Sequence, residues 1–519
     1  MKNLKRIIAL MLASVLSVSC LVACGSKEGN KNQQGSGDPK KDIEIAYWNA
    51  GLGDQWLKDV IAAFEEEYPE YHVFYTASAS AATINSTIVL EGNTVDLYFT
   101  SERTDTSWIE PLDDILEEKA DGDSKPLIEK FNANYLKNAQ AADGHYYQLT
   151  YGGGVIGIVY NKDLFKKAGV TELPRTTNEL AIVCDKLYSQ GITPLCHFSP
   201  EGYYSFFSDA LIYQYDREAY TEDFYSCTDE NGKSPSKEVF TKKDGRYEVL
   251  KAYEKILTTE YVMEGSNSVD HVTAQTQFLN DMAAMMVNGS WVANEMQSVE
   301  GNMDKFAMMR TPVLSAIVDK LTTVKSDAQL RKVITAIDNV QDGVKQLADY
   351  QSGENYNVDG LEVAKADWEY IYTARYTVAS NYSGENACIP NYSENIEGAK
   401  KFLSFLYSDK GYKVYAKALE TPMPLTLSDG SDLDVSDWGA FQKSQVQLLE
   451  EAVALPCYYV ASRHDIFKSG GATKYADVPY VSRLCASNKA DRKNADAIWD
   501  EIVAKVNDNF ENKWLANIK

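Results

Sequence analysis

The stretch between residues 43 and 99 alternates strand and helix patterns, and this alternation limits the fold more than any other feature of the sequence. Residues 43–48, 72–76 and 95–99 have the apolar periodicity of strands. Between them the sequence predicts one helix that ends at Pro69 and a second over 80–91. Strands that alternate with helices form a largely parallel sheet covered on both faces, so we predict an α/β fold.

The N-terminus has the pattern of a bacterial secretory signal over residues 1–23. Basic side chains precede an apolar run over 7–18 that is too short for an ordinary membrane span. The run leads to Leu-Val-Ala-Cys at 21–24, which resembles a lipobox and predicts that Cys24 is lipidated. The alternative is a plain signal peptide with a chance cysteine. Residues 24–42 are nearly free of apolar side chains and predict a flexible tether to a lipid anchor. We therefore expect a cell-surface protein that contacts the membrane only through its lipid, on the outer face of the cytoplasmic membrane.

The composition excludes some partners. The chain carries 75 acidic and 51 basic residues, a formal charge of −24, which argues against nucleic acid and anionic lipid as ligands and suits a soluble monomer. Six cysteines follow Cys24 without CxxC or metal-ligand spacing, so we expect buried thiols, with one disulfide left open, and no metal site. The 34 tyrosines, against 17 phenylalanines, suit a surface that contacts polar ligands.

Two further patterns bear on the organisation of the chain. Three glycines at 152–154 interrupt a strand pattern, as at a hinge where the chain passes between domains. Ser326 and Gln329 form a capping box, and after it apolar residues recur at helical spacing to about residue 350. We predict one long amphipathic helix there, as an insertion on a lobe. Further helices are predicted over 395–419 and 492–511.

Several motifs in a fixed order resemble the family 1 extracellular solute-binding proteins, the sugar-capturing subunits of ATP-binding-cassette (ABC) importers. The motifs are DGHYYQL at 143–149, VYNKDLFKKAG at 159–169, LPRTTNEL at 173–180, AAMMVNGSW at 283–291 and EGAKKFLSFLYS at 397–408. The third motif departs from the family pattern, because Thr177 or Asn178 stands where the family has an aromatic residue. The resemblance covers nearly the whole mature chain.

This resemblance implies a two-lobed periplasmic-binding-protein type II fold with crossing strands between the lobes. The expected division gives the first lobe 43–152 and 311–422, with the helical insertion in the second of these ranges. It gives the second lobe 153–310 and 423–519. The resemblance also implies a carbohydrate ligand and the permease of an ABC importer as partner. The length of the chain and its many aromatic residues favour an oligosaccharide over a monosaccharide. It implies neither a cofactor nor catalysis.

Candidate ligand-binding residues in the first lobe follow from the rule that ligands bind at the carboxyl ends of parallel strands. Trp48 ends the first strand, with a core role as the alternative. Glu102 and Arg103 follow the third strand, where the resemblance implies an acidic and a basic partner for sugar hydroxyls. The alternative for this pair is a solvated loop.

The remaining candidates are aromatic. Tyr203 and Tyr204 follow a predicted strand of the second lobe, and one of the two is expected to be structural. Tyr382 follows a predicted strand over 376–379. Trp291 follows a buried strand and the turn Asn288–Gly289, so it is expected to face the cleft as a platform for sugar C–H groups. Such a platform could be replaced by alanine with little loss of stability in the ligand-free protein.

Two other functions remain open at this stage. A ligand-sensing receptor that signals to a membrane kinase would use the same lobes. A carbohydrate-active enzyme needs a pair of carboxylates, which any chain this acidic contains. Against an enzyme, the sequence has no G-x-S-x-G, HExxH or P-loop motif.

Overall fold

The structure is a computed structural model, and most of the chain downstream of residue 35 is described. The expected signal, Cys24 and most of the expected tether lie outside the described residues. So does the expected end of the long helix, beyond residue 339. The described residues are 36–49, 51–103, 105–141, 143–197, 203–217, 219, 223–224, 226–299, 301, 303–339, 356–457, 465–468, 471–475 and 478–518.

The strands of the described residues form two larger sheets and one hairpin. The first sheet has the order β2-β1-β3-β12-β4, and the second has β11-β5-β7-β6 with β8 also paired to β5. Strands β9 and β10 pair with each other. The bounds are β1 Asp42–Trp48, β2 His72–Ser78, β3 Leu97–Ser101, β4 Leu149–Thr150, β5 Val155–Asn161, β6 Leu195–Cys196, β7 Met285–Gly289, β8 Phe306–Met309, β9 Tyr356–Val358, β10 Leu361–Val363, β11 Ala379–Ser380 and β12 Glu385–Cys388.

Helices cover both sheets. The α-helices are α1 Gln55–Glu67, α2 Ala81–Thr87, α3 Asp113–Glu117, α4 Leu127–Lys130, α5 Ala133–Ala139, α6 Lys162–Lys167, α7 Thr177–Ser189, α8 Tyr204–Asp216, α9 Glu238–Thr241, α10 Gly245–Ile256, α11 His271–Leu279, α12 Val292–Glu295, α13 Asp327–Asp338, α14 Lys365–Arg375, α15 Ile396–Tyr407, α16 Asp409–Leu419, α17 Ala440–Glu450, α18 Asp465–Lys468, α19 Ala495–Asn509 and α20 Leu515–Asn517. A π-helical turn, Phe510–Trp514, joins the last two. Short 3₁₀ helices span Ser266–Ser268, Ser315–Lys320, Ala472–Tyr475, Val481–Cys485 and Lys489–Asp491.

The predicted order of strands and helices between residues 43 and 99 is confirmed. Strand β1 lies between β2 and β3 and is parallel to both. Helix α1 packs its apolar face inward, and the indole nitrogen of Trp56 donates a hydrogen bond of 2.9 Å to the hydroxyl of Tyr47. The expectation of a largely parallel sheet is wrong beyond these strands. Strand β12 is antiparallel to β3 and β4, because the chain enters it on its way back from the other lobe.

Two large clusters of buried apolar side chains form the cores of the protein. One contains the first sheet and its helices and extends to one face of the second sheet. The other packs against the opposite face of the second sheet and includes the C-terminal helix α19. Every described cysteine is buried, and no two of them form a disulfide with each other.

Part of the expected lobe division is wrong. We expected 311–422 to belong to the first lobe, but α13 and α14 pack in the second cluster. An ion pair fixes the two helices together, because the guanidinium of Arg375 donates to both carboxylate oxygens of Asp338, at 2.8 and 3.0 Å. The return to the first lobe is made by β12, α15 and α16, whose buried side chains lie in the first cluster. The other expected boundaries stay predictions.

The helix expected over 395–419 is two helices joined at Ser408. This residue has an extended backbone, and its hydroxyl accepts a hydrogen bond of 3.1 Å from the amide of Gly411. The side chain therefore caps α16, and a new helix begins where the periodicity suggested continuation.

The three glycines at 152–154 carry the chain from β4 to β5, as expected for a crossing between lobes. Gly153 has a φ of +84°, a left-handed conformation that favours glycine. A side chain there would also lie 2.9 Å from the carbonyl oxygen of Asn381. The Asn381 side chain accepts a 2.7 Å hydrogen bond from the amide of Gly154. The crossing segment 381–385 is thus fixed against the glycine segment.

In the part of the chain that the structure describes, no helix is both long enough and apolar enough to cross a bilayer. The same residues contain no group of three or more histidine, cysteine, aspartate or glutamate side chains placed to hold a metal ion.

Candidate ligand-binding cleft between the lobes

Trp291 lies where the sequence predicts it, after β7 and at the start of α12. Its side chain is only 7% exposed. The indole covers Gly289 so closely that a methyl group on Gly289 would overlap the ring. The glycine therefore makes room for the tryptophan, which explains why these two residues occur together in the 283–291 motif.

Tyr203 packs edge-on against Trp291, with ring centroids 5.3 Å apart and an interplanar angle of 82°. Burial, together with the negative charge of Glu295, raises the pKa of Tyr203 to about 12, although a hydrogen bond with Trp291 opposes the shift. Tyr203 thus stays protonated at neutral pH. The two side chains form one aromatic corner with a polar edge.

Glu295 ends α12 and connects the second lobe with the first. Its carboxylate accepts a 3.0 Å hydrogen bond from the side-chain amide of Gln275 and lies 3.6 Å from the Nε2 atom of His271. A methyl group on Gly51, in the loop after β1, would lie 3.5 Å from its side chain. One residue earlier, the side-chain amide of Asn294 donates a 3.0 Å hydrogen bond to the backbone carbonyl of Leu419 in α16. The lobes are therefore in contact at this point.

Glu385 is a buried carboxylate on the first-lobe side, and sequence reasoning missed it. It begins β12, is 6% exposed, and accepts a 2.9 Å hydrogen bond from the amide of Gly153. Burial raises the pKa of Glu385 from 4.5 to about 7; the Gly153 amide opposes this shift and the charge of Glu295 adds to it. The available signal was a single acidic residue at the start of a strand that is otherwise uncharged.

Three of the predicted first-lobe residues lie at the expected edge of the sheet. Trp48 is partly buried, and its carbonyl accepts a 2.7 Å hydrogen bond from the hydroxyl of Tyr151. Glu102 and Arg103 follow β3 and are also partly buried. The guanidinium of Arg103 donates to the carbonyl of Asn85 at 3.1 Å, while its buried Nε atom has no hydrogen-bond partner.

Tyr204 and Tyr382 lie in the cores. Tyr204 is thus the structural member of the Tyr203–Tyr204 pair, and the expected place of Tyr382 in the cleft is corrected. Both are 2% exposed. Tyr204 packs edge-on against Tyr253 at 5.2 Å in the second cluster. The hydroxyl of Tyr382 donates a 3.2 Å hydrogen bond to the carbonyl of Pro422. Tyr204 points inward because it is the first residue of an α-helix and shares a buried face with Phe207 and Ser208.

Gly289→Ala should displace the indole of Trp291 without removing it. The added methyl group and the ring cannot occupy the same space, so we expect a loss of stability of about 1–3 kcal/mol, typical of overpacking. Tryptophan fluorescence and urea unfolding of the variant and the wild type would measure both effects. The control is Gly301→Ala, because a methyl group at Gly301 would have no atom closer than 3.8 Å. Gly232→Ala would be unsuitable because Gly232 has a positive φ. Unchanged stability and fluorescence would contradict the close packing of Gly289 and Trp291.

Two α/β lobes, glycine-containing crossings and an aromatic corner where the lobes meet define a two-lobed binding protein of the type II fold. The model of the family described as bacterial extracellular solute-binding protein matches residues 49–413. The chain belongs to this family.

Known proteins agree with this assignment. The multiple sugar-binding protein of Streptococcus mutans serotype c (strain ATCC 700610 / UA159) is 29% identical over 209 residues, which are 39% of this chain and 46% of that protein. The match thus spans less than half of that relative.

Two solved structures share the fold. The GacH receptor of Streptomyces glaucescens GLA.O, solved unliganded and with acarbose, has a TM-score of 0.56 at 14% identity, over 90% of this chain and 98% of that chain. An ABC-transporter binding protein from Bifidobacterium animalis subsp. lactis, in complex with mannobiose, has a TM-score of 0.53 at 16% identity, over 92% and 98%. Both are binding proteins.

Proposed function

We propose that this protein captures a carbohydrate by closing its lobes and delivers it to the permease of an ABC importer. It does so on the outer face of the cytoplasmic membrane, tethered through lipid on Cys24, as a monomer. Trp291 and Tyr203 bind the sugar, with Trp48, Glu102 and Arg103 contributing from the first lobe. The observation that carries the proposal is the Trp291–Tyr203 corner at the contact between the lobes.

Sugar chemistry supports this assignment. A sugar ring presents C–H patches that stack on aromatic faces and hydroxyl groups that need paired donors and acceptors. The corner supplies two aromatic rings, and Glu295 and Gln275 supply polar atoms beside it. A polar group left unpaired when the cleft closes costs about 1–3 kcal/mol, which gives the site its selectivity. The two solved structures above, one with acarbose and one with mannobiose, have the same fold.

The mechanism follows from the crossings. The open form binds sugar on one lobe, and closure about the segments 152–154 and 381–385 buries it between both. A hydrogen bond from the side-chain amide of Asn294 to the carbonyl of Leu419 joins the two lobes beside the aromatic corner. The permease then recognises the closed shape, and its ATPase partners perform the energy-consuming step.

A thermal-shift screen of the mature protein against mono- and oligosaccharides tests the proposal. A ligand at about 1,000 times its Kd stabilises the protein by about 4 kcal/mol. For a chain of this size each kcal/mol raises the Tm by roughly 2–4 °C. We therefore expect a rise on the order of 10 °C for the cognate sugar. A response to peptides or polyamines, with none to any sugar, would contradict it.

A further inference from the structure

A cavity of about 250 Å³ shares no residue with the aromatic corner or with the other candidate sugar-binding residues. Most of the residues that line it are apolar. Among them are Phe131, Tyr412, Met423, Val446 and Leu449, each at most 8% exposed. Pockets for drug-sized ligands have volumes of about 300–1,000 Å³. This cavity is smaller, so it suits a small molecule with an apolar body.

The two walls of the cavity belong to elements that pack on different sheets. One wall contains Phe131 and Tyr412; the latter lies in α16, which packs against α1 of the first lobe. The hydroxyl of Tyr412 donates a 3.3 Å hydrogen bond to the carbonyl of Met423. The other wall is α17, in which the hydroxyl of Ser444 accepts a 3.0 Å hydrogen bond from the amide of Met308 in β8. A molecule bound here would therefore contact elements of both sheets.

Three carboxylates line the same cavity, those of Glu129, Asp432 and Glu450. In the part of the chain that the structure describes, none of the three forms an ion pair or a side-chain hydrogen bond. Partial burial and the charge of Asp432 raise the pKa of Glu450 above its usual value, so these two carboxylates repel each other. The cavity thus combines an apolar wall with negative charge that has no protein partner.

Lys130 is the only basic side chain among the described residues that line the cavity, and its ammonium group is already occupied. It forms ion pairs with Asp123 and, at 2.9 Å, with Asp409. It also donates a 2.7 Å hydrogen bond to the carbonyl of Tyr407. These three partners use all the N–H donors of an ammonium group. Lys130 therefore has no donor left for the three carboxylates of the cavity.

We propose that this cavity binds a small organic cation that carries a primary ammonium group on an aromatic or branched aliphatic body. The body packs against Phe131, Val446 and Leu449, and its burial contributes to affinity in proportion to the apolar area removed from water. The ammonium group lies beside Asp432 and Glu450 and supplies the positive charge that the cavity lacks. Charge-assisted hydrogen bonds then favour the cation over a neutral molecule of the same shape.

Isothermal titration calorimetry of the mature protein with two matched pairs of probes tests the proposal. The first pair is 2-phenylethylamine and 2-phenylethanol, which share an apolar body and differ in the ammonium group. The second pair, 3-methylbutylamine and 3-methyl-1-butanol, has a branched aliphatic body. We expect an amine to bind about tenfold more tightly than its alcohol, a difference of about 1.4 kcal/mol. The preference should weaken as salt is raised, because Asp432 and Glu450 are exposed to solvent.

Two kinds of variant separate the charge from the apolar wall. The double variant Asp432→Asn, Glu450→Gln keeps the side-chain shapes, so it should remove the preference for the amine and leave the affinity for the alcohol nearly unchanged. Asp437→Asn is the matched control, because Asp437 lies in the same acidic segment, is exposed and does not line the cavity. Val446→Phe places a ring in the cavity and should abolish binding of both probes. Circular dichroism establishes that each variant is folded.

Each outcome supports or overturns the proposal without reference to sugar binding. An alcohol that binds as tightly as its amine would overturn the cationic class of ligand. A preference for the amine that survives the double variant, or binding that survives in folded Val446→Phe, would place the amine elsewhere on the protein. Binding of neither amine at millimolar concentration would remove the site altogether. The charge variants are at exposed positions, so they test the proposal even if Val446→Phe does not fold.

Discussion

Glu385→Gln should make the protein more stable at pH 8, by as much as about 3 kcal/mol, and should have little effect near pH 4.5. In the folded protein burial raises the pKa of Glu385 from 4.5 to about 7, with Glu295 adding to the shift and the Gly153 amide opposing it. Burial raises the pKa of Tyr47, Tyr151 and Tyr415, and the charge of Glu385 adds to each of these shifts. A difference of about 2.5 pKa units corresponds to about 3 kcal/mol.

The direction of this pH dependence follows from the number of protons that the folded and unfolded states bind. Between about pH 4.5 and 7 the folded state holds a proton on Glu385 that the unfolded state has released, so the free energy of unfolding falls as the pH rises through this window. Glutamine is neutral at every pH and can still accept the Gly153 amide hydrogen bond, so the loss is absent in the variant. Urea unfolding at pH 4.5, 6 and 8 measures this difference in the free energy of unfolding. It compares the wild type with Glu385→Gln and with the exposed control Glu91→Gln. A constant difference across this range would contradict the raised pKa.

Trp291→Ala should lower the free energy of unfolding by about 3–5 kcal/mol and should also abolish the thermal shift with the cognate sugar. The sequence predicted that this substitution would leave the stability without ligand nearly unchanged. The structure contradicts that prediction, because the Trp291 side chain is 7% exposed and packs against Tyr203. Large-to-small substitutions of buried aromatic residues leave a cavity and cost this much. Urea unfolding and thermal shift on the same preparation give both numbers.

Two other variants separate packing from binding. Trp291→Phe keeps an aromatic face but loses the hydrogen bond with Tyr203, so it should cost less stability than alanine and retain part of the thermal shift. Trp108→Ala is the control for loss of a tryptophan, because Trp108 is 41% exposed and should change stability by less than about 1 kcal/mol. A full ligand shift in folded Trp291→Ala would contradict its place in the binding site.

The parts of the fold that the sequence predicted are those set by local patterns. Strands β1 to β3 and helix α1 follow from apolar periodicity, and Trp291 follows from a buried strand that ends in Asn-Gly. Local patterns do not say which lobe a helix packs against. Helix α13 has a clear apolar face, yet its partner α14 lies beyond the segment 340–355 and determines its place.

The candidate site was predicted only in part, for the same reason. Tyr203 and Tyr204 are neighbours, and the side that each faces depends on how α8 begins. Glu385 has no sequence motif, and its partner Gly153 lies more than 200 residues away. Such a residue becomes recognisable only when the crossings between the lobes are in place.

The pairing of β3 with β12 affects how this protein comes to be folded. Ser101 lies opposite Glu385, so the first sheet closes a loop of more than 280 residues. Closing so long a loop has a large entropic cost, and folds with many distant contacts form slowly. During synthesis, the first lobe cannot complete its sheet until three quarters of the chain has been made. Until then the side of β3 that pairs with β12 has no partner, so the sheet of the first lobe is among the last parts of the fold to be completed.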